Sequence, residues 1–192
     1  MIVNKNGFTL VELLVVIALI GVVSGIGLLN LASTKGDQNL TTATADLQSL
    51  LRIAQNNATT GQLCGPTASA NGVYTNQAID WRVTLTNLTP LTFKMEPNCS
   101  DAPTSLYPTK TVTFPSSLSL PTPPMTVTWC GSALNTKVKF ANISGVVSFG
   151  CGNPSMDINL SAEPSLGWRI QSNPTGTVLT VNADKGGRVY VQ

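Results

Sequence analysis

The sequence predicts an α+β protein: a long N-terminal helix, one half transmembrane and one half amphipathic, packed on a C-terminal antiparallel β-rich head. Three observations predict it. Residues 8–29 are an almost unbroken apolar run, residues 40–58 carry apolar side chains at spacings of three and four, and beyond residue 61 apolar and polar residues alternate.

Composition narrows the function before any motif is read. Of 192 residues, 42% are hydrophobic and 10% are charged, against about 25% charged in an ordinary soluble domain. Eleven Lys and Arg against nine Asp and Glu leave a net charge of +2, too weak a field to gather nucleic acid or acidic lipid. There is no histidine, so the commonest general base and metal ligand is missing. A cytosolic enzyme and a repressor-like DNA binder are both disfavoured.

The first element runs from Phe8 to Leu29 with one ionisable side chain, Glu12. As a helix it would span about 33 Å, enough for a hydrocarbon layer of about 30 Å. It is apolar on every side, so its natural surroundings are lipid or helices like itself. Met1 to Gly7 is short and polar and carries Lys5, which favours keeping that end in the cytoplasm. A secretory signal peptide is the competing reading, but Asn30 to Gly36 is only a loose cleavage site. The run also exceeds the usual apolar core of about 7–15 residues. A plain anchor leaves Glu12 unexplained, because a buried acid in such a segment persists only if paired or functional.

Gly7-Phe8-Thr9-Leu10-Val11-Glu12, leading straight into the apolar run, closely resembles the prepilin signature of type IV pilins and type II secretion pseudopilins. The resemblance implies the pilin fold, cleavage between Gly7 and Phe8 by a prepilin peptidase, and N-methylation of Phe8. It also implies that Glu12 pairs with the N-terminal ammonium of an adjacent subunit and so sets axial register, since a mismatched step would bury both charges alone. Gly21 and Gly25 form a small-xxx-small pair that lets helix backbones approach closely. Many major pilins carry a proline in this segment, whereas Ile26 to Asn30 has none.

The amphipathic half follows. Leu40, Ala43, Leu47, Leu50, Ala54 and Ala58, with Leu51 beside them, form one face. Asp37 or Asn39 is the expected cap, Gly61 the expected stop and Gly36 a soft break before it. The chain thus divides into residues 1–7, a leader; 8–35, a transmembrane and assembly helix; 36–60, the amphipathic half; and 61–192, the head.

In the head, Ile79, Trp81, Val83 and Leu85 are expected to face one way and Asp80, Arg82 and Thr84 the other. Leu91-Phe93-Met95, Val112-Phe114, Met125-Val127-Trp129 and Val138-Phe140 repeat the pattern. Further strands are expected at 146–149, 156–160, 168–170, 178–181 and 189–191. Prolines at 90, 97, 103, 108, 115, 121, 123 and 124 mark loops. Cys64, Cys99, Cys130 and Cys151 form no CxxC pair. Without histidine they predict disulfides in an oxidising space rather than a metal site. Three pairings are open. The sequential one, Cys64–Cys99 and Cys130–Cys151, is expected because Cys130 and Cys151 each end a strand-like run.

The head is also similar to H-type minor pseudopilins, through Leu50 to Ala58 and through Val178 to Val191 with its Gly187-Arg188 turn. The Pro- and Thr-rich stretch from Thr89 to Pro124 departs from that outline and suits a major pilin as well. The resemblance therefore implies a filament subunit, minor pilin or pseudopilin, in a type IV pilus or type II secretion pseudopilus. Its partners would be like subunits, the peptidase, an inner-membrane assembly platform and, before assembly, the bilayer. It implies a bacterial single-pass inner-membrane protein with its head in the periplasm or at the cell surface.

A major type IV pilin is one alternative. A DNA-contacting minor pilin is another, for which Arg169, Lys185 and Arg188 are the candidate residues, few for phosphate binding. Nucleic acid is therefore not an expected partner. No cofactor, metal or catalytic residue is expected: Asp101, Asp157, Glu163 and Asp184 are scattered and form no constellation.

Overall fold

The computed structural model describes residues 9–66, 74–99, 109–125, 133–152, 158–159, 164–173 and 175–192, excluding the side chains at 25–33, 64–66, 74–77 and 158–159. The first element is one continuous α-helix, α1, Leu10–Thr59. Gly36 lies inside it and is buried, and the helix continues through it without a break. The caps expected at Asp37 and Asn39 do not form. Asp37 Oδ1 instead accepts the Thr175 hydroxyl at 2.7 Å, and Asn39 Nδ2 donates to Ser117 Oγ at 3.4 Å. These bonds to distant loops take the side chains that would otherwise have started a second helix. Thr60 closes the helix and Gly61 follows at φ 64°, where a side chain would be strained.

The transmembrane assignment of residues 8–35 is corrected. Among the described residues no helix is long and apolar enough to cross a membrane. The single-pass inner-membrane localisation, with the head outside the cytoplasm, falls with it.

Eleven strands follow among the described residues: β1 Leu63–Pro66, β2 Tyr74–Leu88, β3 Leu91–Cys99, β4 Lys110–Thr113, β5 Leu118–Ser119, β6 Lys137–Ala141, β7 Val147–Cys151, β8 Ile158–Asn159, β9 Ser165–Ser172, β10 Val178–Asp184 and β11 Val189–Val191. The larger sheet has the order β4-β3-β2-β6-β7-β8, with β1 also on β2; the smaller has the order β11-β10-β9-β5. Every pairing is antiparallel. Leu40, Leu47, Leu50, Leu51, Ala54 and Ala58 on α1 are fully buried against both sheets. Phe93 on β3 meets Trp168 on β9 edge-on at 5.2 Å, joining the two sheets through one aromatic contact.

One strand phase is corrected. Trp81, Val83 and Leu85 face the core, but Ile79 is 55% exposed and Ala78 is buried in its stead. The register with β3 shifts between Ala78 and Asp80, and a one-residue irregularity there sends Ile79 to the other face. Val146 likewise precedes β7 and is exposed. Of the strand expected at 125–129 only Met125 is described, as an isolated bridge to Trp168, and of that expected at 156–160 only β8 is described; the rest lies outside the described residues.

Cys99 and Cys151 are disulfide-bonded, and no described cysteine is a free thiol. No bond with both sulfurs among the described residues is present. The side chain of Cys64 and the whole of Cys130 lie outside them, and with them the sequential pairing.

Candidate functional site: the N-terminal segment of the helix

Thr9 sits in extended backbone, at φ −78° and ψ 151°, immediately before the first helical turn. Its hydroxyl accepts from the Glu12 backbone N–H at 3.3 Å and donates to Glu12 Oε2 at 3.0 Å, while its own N–H donates to the same oxygen at 3.0 Å. This is a capping box. The Thr and Glu side chains satisfy backbone donors that a helix start leaves unpaired, and an anion sits where the helix dipole is positive. The backbone bond and then the hydroxyl bond from Thr9 hold the Glu12 carboxyl below the usual carboxylate range, against a smaller opposing effect of burial. The Thr9-x-x-Glu12 spacing was a readable signal of this role, which the registry reading of Glu12 passed over.

Beyond the cap, eleven large apolar side chains between Leu10 and Val23 are 48–79% exposed, on every side of the helix. A Cβ built on Gly21 meets nothing within 4 Å, so the backbone there is open to close approach. Gly25 lies where the surroundings fall outside the described residues, and Gly7 and Phe8 lie outside them altogether. The same helix therefore has two surroundings: protein for Leu40–Ala58, and no cover among the described residues for Leu10–Val23. An apolar surface of that extent marks an interaction site.

The three cations named as nucleic-acid candidates are not brought into one patch. Arg188 donates through its backbone N–H to Asp184 Oδ1 at 2.9 Å and through Nε to Oδ2 at 2.7 Å. Lys185 is on the same turn, its N–H bonded to the Pro164 carbonyl. Arg169 pairs with Thr180, four residues from Asp184 along β10, roughly 13 Å away, and donates to the Pro123 carbonyl at 3.2 Å.

A different basic group is assembled by strand register. Arg82 lies opposite Glu96 and Lys139, and Thr84 opposite Lys94 and Lys137. Glu96 bridges Arg82 at 3.0 Å and Lys94 at 2.7 Å. A recess of about 130 Å³ opens between Arg82, Lys94, Glu96, Asn135 and Lys137. These residues come from three strands and, for Asn135, the turn before β6, and no local spacing announces them. Among the described residues, no group of three or more His, Cys, Asp or Glu is placed to hold a metal ion.

Residues 2–28 match the family described as the prokaryotic N-terminal methylation motif. No curated protein and no solved structure matches the chain. The chain thus carries a prepilin-type cleavage and methylation motif, consistent with the broad type IV pilin and pseudopilin superfamily and with assembly partners of that kind. Its α+β architecture is broadly consistent with that of pilin-like proteins.

Proposed function

We propose that the protein is a structural subunit, a minor pilin or pseudopilin, of a helical filament of the type IV pilus or type II secretion class. A prepilin peptidase cuts between Gly7 and Phe8, Phe8 is N-methylated, and copies assemble through the first third of α1. The observation that carries this reading is the uncovered apolar rod from Leu10 to Val23, set directly behind the methylation motif and capped by Thr9 and Glu12. Burying such side chains is worth about 1.5–3 kcal/mol apiece, and like rods laid side by side bury them without a charge mismatch except at Glu12. That one carboxylate then has to meet a cation, and the methylated ammonium at Phe8 is the nearest chemistry of the right sign.

The reading is of a structural protein rather than an enzyme, supported by the absence of histidine from the sequence and by the scatter of its acids. The DNA-contacting alternative is weaker because Arg188 is engaged by Asp184 and Arg169 stands apart. The test is the intact mass of the chain isolated from the producing cell. It should lack residues 1–7 and carry one added methyl group on Phe8, and Gly7→Ala should abolish both changes. A chain that still begins at Met1 would overturn the proposal.

A further inference from the structure

At the far end of α1 the turn between β6 and β7 displays a second uncovered apolar surface. Ile143 is 65% exposed, Val146 60% and Ile79 55%. They are neighbours: Ala141 N–H donates to the Val146 carbonyl at 2.8 Å, and Asn142 N–H to that of Ile79 at 3.1 Å. The turn is anchored on the helix end by Ile143 N–H, which donates to the Ala58 carbonyl at 2.7 Å. Ile143 has φ 65°, a left-handed conformation that a β-branched residue strongly disfavours and that the adjacent Asn142 would tolerate. A strained backbone that holds an isoleucine out into solvent points to a contact made there.

We propose that Ile143, Val146 and Ile79 seat the apolar N-terminal segment of α1, Leu10–Val23, of a second copy of this chain. The inference rests on the filament reading. The two surfaces are both apolar and both uncovered, and residues 58–63 and 141–146 contain no ionisable side chain; Asp80, beside Ile79, accepts from Asn98 Nδ2, and Glu12, the one ionisable side chain of Leu10–Val23, lies near the start of that segment, where the ammonium of an adjacent subunit is proposed to meet it. The contact cannot be made within one chain, because Val23 and Ala58 are roughly 52 Å apart along a single helix. Two different surfaces at opposite ends of one molecule make a head-to-tail contact, which propagates into an open filament when each step also translates along the helix. The seated copy is displaced roughly 50–70 Å along the helix direction, so it is not the immediate neighbour in a tightly wound assembly.

The experiment is made on the full chain in the producing cell. A photo-crosslinking side chain at position 143 should capture a peptide within Leu10–Val23 of another copy. Ile143→Asp with Val146→Asp should leave a processed, folded subunit whose assembled fraction falls roughly tenfold or more. Ile143→Gly relieves the strained φ, so its melting temperature should not fall, yet its assembled fraction should drop as well. Wild-type assembly of both variants, or crosslinks landing on another segment or another protein, would overturn the seat. If Glu12→Ala blocks assembly while the Ile143 variants assemble, only the seat is lost. If Glu12→Ala assembles too, the registry role proposed for Glu12 is lost as well; only a wild-type chain that is neither cut behind Gly7 nor assembled takes the filament reading with it.

Discussion

The indole Nε1 of Trp168 donates to Oγ1 of Thr136 at 2.8 Å, with both residues fully buried where the smaller sheet meets the end of β6. The same hydroxyl donates to the Ala133 carbonyl at 2.6 Å, so one oxygen satisfies two buried groups from different parts of the chain. Thr136→Val keeps the shape and strands the indole N–H. It should cost about 1–3 kcal/mol, read as a lower denaturant midpoint at unchanged slope. Thr136→Ser, which retains the oxygen, should recover most of that loss.

Gly187, in the turn between β10 and β11, has φ 80°, and a Cβ there would lie 2.6 Å from Gln55 Nε2 on α1. The amide is the far end of a flexible side chain and can swing aside; the backbone cannot change sign. Gly187→Ala should therefore lose about 1–2 kcal/mol of stability from the left-handed conformation alone. Adding Gln55→Ala should not restore it. Thermal melts of the single and double variants check this, and recovery in the double would show that the clash, not φ, sets the cost.

Much of the fold was legible because it is written in local period. Leu40 to Ala58 announces one buried helix face, and Trp81-Val83-Leu85 and Leu91-Phe93-Met95 announce strands whose inner side chains are indeed buried. What was not legible depends on distant partners. Asp37 reads as a cap until Thr175 takes its carboxylate, and Gly36 reads as a break until the head buries it. Ile79 reads as core until the irregular register with β3 turns it outward. The Arg82, Lys94, Lys137 and Lys139 group exists only through pairing across three strands. At the N-terminal segment the motif itself was plain, yet the Thr9-x-x-Glu12 spacing also spells a capping box, which the pairing expected of Glu12 hid.

Asp184 supplies a pH dependence. Desolvation raises its pKa, but the backbone N–H, guanidinium and charge of Arg188, with the Gly186 N–H, outweigh that and hold it below the usual carboxylate range. A depressed folded pKa means that the contribution is fully present above the unfolded value of about 3.9. It is lost as pH falls through the lower folded value. Asp184→Asn should flatten that acid limb in denaturant midpoints followed downward from neutral pH. Because Arg188 is 83% exposed, solvent screening keeps the loss at neutral pH under about 1 kcal/mol. An acid limb unchanged in the variant would remove Asp184 from the account.

Glu12 holds the helix start and is also proposed to meet the ammonium of a neighbouring subunit, and the two roles separate by substitution. Glutamine serves in a capping box as glutamate does, its carbonyl accepting the N-cap N–H, but it carries no charge. Glu12→Gln should therefore keep the first turn of α1 ordered, with amide exchange near Leu13 close to wild type, and still be cut behind Gly7. It should nonetheless assemble poorly, because the cation of the adjacent copy is left buried without a counter-charge. Thr9→Ala should do the reverse: it removes the hydroxyl, costs about 0.5–2 kcal/mol of local helix stability, frays the first turn and leaves the charge available. The melting temperature should be unmoved in both, since Leu10–Val23 makes no part of the core. If Glu12→Gln filaments form as readily as wild type while Thr9→Ala filaments do not, the carboxylate is a cap only, and the axial register must come from the apolar side chains themselves.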